Sequence, residues 1–299
     1  EGITGMDSIN HCLIFLISRY MDTELCNKTG IDEKYSFHNL MKDKDGKERG
    51  DHELFDLFYK KSDPKCFCAV LLNKLKFNNG KFKLTGVVNL KSIMKSLEKL
   101  DINHLDSQYD LVGTIYEIHL RSGTSNAMRD LGQYFTHRLV IKYMVELCKP
   151  TLVNGKVETI VDPTMGTGGF LTMAIKYLNK NNKDIDWNEN IKNIYGFDLD
   201  ENVKNMALLN ILLECNELSP KTIVQQDTLK NDLKLDSVNT LQKAKVILAN
   251  EPMGIKGLTQ LVKKNSPESI SHIGLYKMKD KRIAIDTSIF IYKSLMNVR

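Results

Sequence analysis

The sequence predicts an α/β protein in which a helical N-terminal domain precedes a parallel sheet. Residues 1–125 carry amphipathic stretches with the spacing of helices. Farther along, four short runs rich in Val and Ile alternate with segments of helical spacing, as buried parallel strands do in an α/β sheet. These runs are residues 157–161, 193–197, 222–225 and 245–249. With 299 residues, 42% of them hydrophobic, the chain can form a substantial core and more than one domain.

The helical domain, residues 1–125, is predicted to contain four amphipathic helices. They cover residues 9–20, 54–59, 90–100 and 111–120. The segment 42–49 mixes lysines and acids around a glycine, a composition that is typical of a solvated loop.

A glycine-rich turn follows the first apolar run. Asp162 ends that run, and Gly166-Thr167-Gly168-Gly169 comes shortly after it. Closely spaced glycines let the backbone approach a ligand, since no side chain holds it away. The turn lacks the Gly-Lys-Ser/Thr of a phosphate loop and the glycine spacing of a dinucleotide fingerprint. An acid at the strand end suits a cationic amino acid group, as in S-adenosylmethionine, although a plain structural turn is the alternative.

A polar side chain lies just after each of the four runs. They are Asp162, Asp198, Asp227 and Asn250. Because ligands bind at the carboxyl ends of parallel strands, all four are expected to line one crevice. Asp198 is placed to accept hydrogen bonds from ribose hydroxyls, whereas Asp200 is better placed to cap the following helix.

Four motifs occur in an order and spacing that are specific to one family. They are GQYFTHR at 132–138, DPTMGTGGF at 162–170, IYGFD at 194–198 and VILANEPM at 246–253, and VQQD at 224–227 lies between the last two. Over about residues 100–253 the chain resembles the modification subunit of type I restriction systems, an adenine-specific DNA methyltransferase family. The resemblance implies a Rossmann-like, S-adenosylmethionine-dependent sheet of about seven strands. Only four strands are predicted before residue 253 and one more at 282–285, so the sheet of this catalytic domain, residues 126–253, is expected to be incomplete.

The resemblance also implies which residues bind S-adenosylmethionine, the only small molecule expected. They are Gln133, Tyr134, Phe135, Thr136, His137, Arg138, Asp162, Gly166, Thr167, Gly168, Gly169, Asp198 and Asp227. Asp227 is expected near the adenine of the cofactor. His137 stands where the family has proline, and the alternative is that it is a surface residue that opens the helix at 139–147.

The last motif is expected to carry methyl transfer to the exocyclic amine of an adenine turned out of the duplex. Hydrogen-bond acceptors such as the Asn250 carbonyl would hold the amine protons, and no metal is required. The family reads Asn-Pro-Pro-aromatic, whereas this chain reads Asn250-Glu251-Pro252-Met253. The expected catalytic residues are therefore Asn250, Pro252 and Met253, and the alternative is an inactive protein that only binds cofactor or DNA.

A second resemblance begins at Met253. The stretches MGIKGLTQL at 253–261 and KRIAIDTSIFIY at 281–292 are similar to the start of XPG-type flap endonucleases. This resemblance implies that Asp286 matches an aspartate that binds catalytic metal. It also implies that Arg299 matches a basic residue that contacts DNA. A two-metal nuclease needs several converging carboxylates. Asp286 is the only one from that set in residues 254–299, so a nuclease is the weakest of the functional alternatives.

Charge and cysteine usage indicate the partners and the compartment. Residues 254–299 contain nine Lys and Arg against three acids, a balance of +6, and since the whole chain is +5 the remainder carries −1. A basic tail can bind DNA without regard to sequence, or be an ordinary solvated face.

The expected partners are DNA and, from the resemblance, a specificity subunit, with no membrane. Six scattered cysteines indicate reduced thiols, so the protein is expected inside the cell: in the cytoplasm, or in a nucleus or viral factory.

Overall fold

The computed structural model describes residues 6–60, 63–75, 89–101, 110–122, 136–217, 221–228, 244–250 and 282–285. The chain divides into two compact units, Glu1–Gly123 with Asn216–Leu218, and Thr124–Cys215 with Ser219–Arg299. The predicted boundaries at residues 125 and 253 remain predictions. All six cysteines are free thiols. Within the described ranges, no helix is both long and apolar enough to cross a bilayer.

The first unit is helical, and its four predicted helices are confirmed. Its described helices are α1 (Met6–Tyr20), α2 (Thr23–Thr29), α3 (Phe37–Met41), α4 (Asp51–Phe58), α5 (Phe67–Leu75), α6 (Leu90–Glu98) and α7 (Leu111–Ser122). Aromatic rings fill the core where α1, α4 and α5 meet: Phe58 stacks on Phe15 at 5.4 Å between ring centroids and lies 5.2 Å from Phe67. The segment 42–49 is a largely exposed turn, as its charge pattern predicts.

The second unit contains a five-stranded sheet. Its strands are β3 (Ile160–Asp162), β4 (Ile194–Asp198), β5 (Ile223–Gln225), β6 (Val246–Ala249) and β7 (Arg282–Ile285). They are all parallel and lie in the order β5-β4-β3-β6-β7. The helices are α8 (Arg138–Cys148), α9 (Gly169–Asn181), α10 (Trp187–Asn190) and α11 (Glu201–Cys215). The predicted α/β class with a parallel sheet is confirmed.

The composition of residues 157–161 predicts one strand, but the structure divides this run between two strands. Asn154 and Gly155 both have positive φ, 53° and 75°, which gives the right twist for a two-residue hairpin turn. The turn folds β2 (Lys156–Val157) back onto β1 (Leu152–Val153) in an antiparallel pair. The parallel strand therefore begins only at Ile160.

Close packing around the central strands leaves no room for larger residues at one position. Gly196 lies in β4, and a Cβ there would collide with the side chains of Met165 and Leu171. The glycine lets the loop after β3 close over the sheet, which is a common reason for glycine inside a strand. The same packing buries Ile160, Ile194 and other apolar side chains of the sheet in one core.

Helix α11 is buried on nearly every side. Eleven of its fifteen residues are buried, including Asn205 and Asn210 among apolar neighbours. A helix without a polar face belongs in the interior of a protein. It packs against α9, β4 and β5, and thus directly beside the segment that joins β3 to α9.

Strand β7 comes from the segment that resembles a nuclease. It pairs with β6 in parallel register from Val246↔Arg282 to Ala249↔Ile285, and α8 lies against it. The strand predicted at 282–285 is therefore present and lies at the edge of the sheet. It adds a fifth strand to the four that precede residue 253.

Candidate functional site

The glycine turn lies at the carboxyl end of β3, the central strand. Gly166 and Gly168 have φ of 55° and 82°, values that L side chains rarely adopt. The Gly168 N–H donates to the Met165 carbonyl at 2.9 Å and closes the turn. Helix α9 starts at Gly169, so the first backbone N–H groups of that helix lie at the turn without intrahelical acceptors.

Asn250, directly after β6, lies beside this turn. Its backbone carbonyl accepts the Thr164 hydroxyl at 3.0 Å. Its side-chain Nδ2 donates to the Thr136 hydroxyl at 2.6 Å. Three segments that are far apart in sequence therefore meet at one edge of the sheet, as expected for a crevice at the strand ends.

Asp198 holds the other side of the turn. One carboxylate oxygen accepts the Gly166 N–H at 3.1 Å, and the other accepts the Asp200 N–H at 2.9 Å. Partial burial raises the pKa of Asp198 above its ordinary value. Asp200 accepts the Asn202 N–H at 2.8 Å at the start of α11, which confirms its predicted role as a helix cap.

The end of β5 also reaches the turn. The Gln226 N–H donates to the Asp198 carbonyl at 2.7 Å. The Thr228 hydroxyl donates to the Pro163 carbonyl at 3.1 Å. Asp227 lies between these two contacts and is half-buried. All four strand ends that the sequence singled out therefore border the glycine turn.

Asp162 is the acid at the strand end, and it is completely buried, with 0% of its surface exposed. Its Oδ1 accepts the Thr164 N–H at 3.0 Å, and its Oδ2 has no hydrogen-bond partner among the described residues. Burial, together with the nearby charge of Asp198, raises the pKa of Asp162 to about 8. The carboxyl group is therefore mostly protonated at neutral pH, and its expected contact with a cationic ligand remains a prediction.

Thr136, His137 and Arg138, at the start of α8, differ in burial and in their hydrogen-bond partners. Thr136 is 9% exposed and bonds to Asn250. His137 is exposed and caps α8, because its Nδ1 accepts the Leu139 N–H at 3.3 Å. This agrees with the alternative that His137 opens the helix. Arg138 donates to the Thr136 carbonyl at 3.1 Å.

Several predicted site residues lie outside the described part of the chain. They are Gln133, Tyr134, Phe135, Pro252, Met253, Asp286 and Arg299. Their roles remain predictions.

Three residues that contact the turn did not stand out in the sequence. Thr164 bonds to Asn250, Ala207 packs under Gly168, and Asn210 donates to the Thr167 carbonyl at 3.1 Å. A signal existed for Asn210, since it is a single amide within the apolar run ALLNILL at 207–213. Thr164 lies within the motif at 162–170 but had no predicted role of its own, and Ala207 has no signal, because alanine in a helix is ordinary.

Comparison with known proteins agrees with this geometry. The StySPI methylase subunit of a type I restriction enzyme from Salmonella potsdam is 29% identical to the chain over 198 residues, which are 62% of this chain and 36% of that relative. The chain thus spans about a third of the length of that relative. A solved modification subunit of a putative type I restriction enzyme from Vibrio vulnificus YJ016 has the same fold, with a TM-score of 0.52 and 18% identity over 85% of this chain and 57% of that one.

A second, shorter match is to a nuclease. Flap endonuclease 1 of Cryptosporidium parvum is 47% identical over 47 residues, which are 16% of this chain and 10% of that protein. By contrast, the N-6 DNA methylase family model matches residues 107–284, which include β3 to β6, most of β7 and every described residue of the site. The match confirms the methyltransferase part of the predicted resemblance and covers more than half of the sequence, so the chain belongs to the N-6 DNA methylase family.

Proposed function

We propose that the chain is an adenine-specific DNA methyltransferase of the type I modification kind, which uses S-adenosylmethionine. The observation that carries this proposal is the meeting of Thr136, Thr164 and Asn250 at the carboxyl edge of the sheet, beside the glycine turn. Family membership and the type I relatives support the same activity.

The described residues fit the cofactor. A Cβ at Gly166 would meet no atom within 4 Å, so the turn has open space where another residue would place a side chain. The Asp198 carboxylate accepts one backbone N–H at each oxygen and has lone pairs left for ribose hydroxyls. The first turn of α9 has backbone N–H groups without intrahelical acceptors, and these could donate to the amino acid carboxylate. When bound, S-adenosylmethionine supplies an electrophilic methyl group.

Asn250 would orient the substrate amine. A carboxamide has a donor end and an acceptor end, and the donor end of Asn250 is bound to Thr136. No described residue donates to its Oδ1, so this oxygen is available to accept a proton of the adenine amine. Holding the amine protons favours the pyramidal geometry in which the nitrogen lone pair can attack. Thr136 would therefore position Asn250.

The test is to measure cofactor binding and methyl transfer separately. Calorimetry with S-adenosylmethionine and transfer of labelled methyl to adenine in duplex DNA should both be positive for the unmodified protein. Asn250→Ala should keep cofactor affinity within about threefold and lower transfer roughly 100-fold or more, which is the size of the loss when one oxyanion-hole donor is removed from an enzyme. Asn181→Ala, an exposed change at the end of α9, serves as the control. Absence of cofactor binding by the unmodified protein would refute the proposal.

An inactive binding protein is the second candidate, and the motif Asn250-Glu251-Pro252-Met253 favours it. Glu251 adds negative charge where DNA would approach, and Met253 replaces a stacking ring by a flexible thioether. Glu251→Pro together with Met253→Phe should then raise methyl transfer in the assay above. Equal transfer before and after the double change would contradict this second candidate.

We infer that residues 253–299 correspond to the first segment of a flap endonuclease. The flap endonuclease match is 47 residues long, the length of 253–299, and its identity of 47% supports this origin. Asp286 is a single carboxylate, and two-metal cleavage needs several. A flap substrate with Mg²⁺ should therefore remain uncut, and cleavage would revive the nuclease alternative.

The proposed partners are DNA and a separate specificity subunit that selects the sequence. Type I relatives support both, and the excess positive charge of residues 254–299 supports DNA contact. The chain alone is then expected to bind different duplexes with similar affinity. A strong preference for one sequence would contradict delegation to another subunit.

A further inference from the structure

The Thr167–Gly168 peptide at the centre of the glycine turn is bound from two sides. Its N–H, on Gly168, donates to the Met165 carbonyl at 2.9 Å within the turn. Its carbonyl, on Thr167, accepts the Asn210 Nδ2 at 3.1 Å from helix α11. A flip of this peptide would break both hydrogen bonds.

Helix α11 contacts the turn at one further point. Ala207 lies one helical turn before Asn210 and on the same face. A Cβ at Gly168 would lie 3.2 Å from the Cβ of Ala207, so the turn rests directly on this helix. Asp198, which precedes α11, accepts the Gly166 N–H. Three consecutive residues of the turn, Gly166, Thr167 and Gly168, therefore contact the end of β4 or helix α11.

The burial of Asn210 argues that this contact is costly to replace. Asn210 is 4% exposed and lies in a helix whose neighbouring residues are apolar. Burying an amide costs free energy unless it is hydrogen-bonded. The bond to the Thr167 carbonyl satisfies one donor of this buried amide, which an apolar side chain at the same position could not replace.

We propose that Asn210 is a positioning residue for the cofactor: it holds the Thr167–Gly168 peptide in the orientation that shapes the glycine turn, and thereby sets cofactor affinity. The inference rests on the proposed function, because the ligand of the turn is taken to be S-adenosylmethionine. Asn210 acts through the backbone.

Asn210→Ala and Asn210→Asp test this, with calorimetric Kd for S-adenosylmethionine as the readout. Loss of one buried hydrogen bond should raise Kd roughly five- to tenfold in Asn210→Ala. In Asn210→Asp an ionised carboxylate faces the Thr167 carbonyl, whereas the protonated carboxyl can donate to it. Because burial raises the pKa of a carboxyl, as it does for Asp162, the ratio of the Asn210→Asp Kd to that of the unmodified protein should be low at pH 5.5 and rise markedly by pH 9, where the carboxylate forms.

Asn205→Ala is the matched control. Asn205 is 2% exposed in the same helix, and its Oδ1 has no hydrogen-bond partner among the described residues. The control should keep Kd within about twofold. If Asn210→Ala fails to fold, Asn210→Asp, which preserves side-chain volume, still decides the question through its pH profile.

The outcomes separate the two proposals. An unmodified protein that does not bind S-adenosylmethionine refutes the proposed function and removes the basis of this inference. An unmodified protein that binds, with Asn210 variants of unchanged Kd or with a Kd ratio that does not depend on pH, overturns the role of Asn210 alone.

Discussion

Asp162 shows how one buried residue can change the chemistry of a strand end. An acid at the carboxyl end of the central strand would ordinarily be charged and available to a cation. Here the packed elements around β3 remove it from water, and burial raises its pKa to about 8. Near neutrality the group is mainly a neutral hydrogen-bonding carboxyl.

The raised pKa makes stability depend on pH. The carboxyl of the unfolded chain loses its proton near pH 4 and that of the folded protein near pH 8, so between these values the folded state holds more protons. The free energy of unfolding should therefore fall as pH rises from about 4 to 8, by up to about 1.4 kcal/mol per pH unit. Asp162→Asn, which is uncharged at every pH, should remove this contribution.

The measurement is the difference in melting temperature between Asp162→Asn and the unmodified protein at pH 5, 6.5 and 8. The difference should become steadily more positive with rising pH. A constant difference would show that Asp162 ionises near its ordinary pKa in the folded protein.

Comparing Gly168 of the glycine turn with Gly155 of the β1–β2 hairpin separates two costs of adding a side chain: backbone strain and a clash with neighbouring atoms. Gly168→Ala places a side chain at a φ of 82° and 3.2 Å from Ala207, whereas Gly155→Ala places one at a φ of 75° with no atom within 4 Å. Each substitution should cost about 1 kcal/mol from the left-handed backbone alone. Gly168→Ala should cost more because α11 must shift.

Thermal denaturation of both glycine variants, with calorimetry for S-adenosylmethionine, tests this difference. Only Gly168→Ala should weaken cofactor binding, since Gly155 lies in the β1–β2 hairpin. Equal melting temperatures and equal affinities for the two variants would contradict the packing contribution.

At the level of elements, β7 moves the edge of the described sheet away from β6. Without it, β6 would be the edge strand, and the backbone groups that now pair with β7 would be unpaired. A strand from the nuclease-like segment thus pairs with the methyltransferase-like sheet.

A chain ended after residue 281 lacks β7, and one ended after residue 289 keeps it. The shorter chain should melt at least roughly 5 °C lower and aggregate more readily, because the backbone groups of β6 that pair with β7 lose their partners. The longer chain is the control. The two chains are compared by melting temperature and, for aggregation, by light scattering. Equal values for both chains would contradict the role of β7.

For the whole molecule, charge is the property that is distributed most unevenly. The balance of +6 in residues 254–299 stands against −1 in the remainder. If these charges contact phosphates, DNA binding should weaken steeply with salt, since each neutralised phosphate contributes a slope of about −0.9 to log K against log salt.

Four tail lysines can be changed without touching β7. Replacing Lys256, Lys263, Lys264 and Lys277 by Gln should make the salt slope shallower by up to about 3.6, if all four contact phosphate. The control replaces four exposed lysines of the helical unit, Lys44, Lys47, Lys60 and Lys65. Fluorescence anisotropy with a random-sequence duplex gives the slopes, and an unchanged slope for the tail variant would mean that these lysines are only solvated.

Local sequence was sufficient for much of this protein. Hydrophobic spacing predicted four of the seven described helices of the first unit, but not α2, α3 and α5, and it predicted the order of strands and helices in the second, because periodicity reports which face of an element is buried. It failed at 157–161, where the Asn154-Gly155 turn redirects the chain within a continuous apolar run. The strand ends also located the crevice, since parallel strands bring their carboxyl ends to one edge.

The sequence by itself determined which residues could form the site: the glycine turn, the polar residues after each strand and the altered Asn250 motif. Only the tertiary structure decided that Asn250 bonds to Thr136, 114 residues away, that Asn210 supports the turn, and that Asp162 is buried. Such contacts depend on how separate elements pack, and no local pattern encodes the neighbours that remove a carboxyl from water. Protonation and side-chain orientation therefore became known only with the fold.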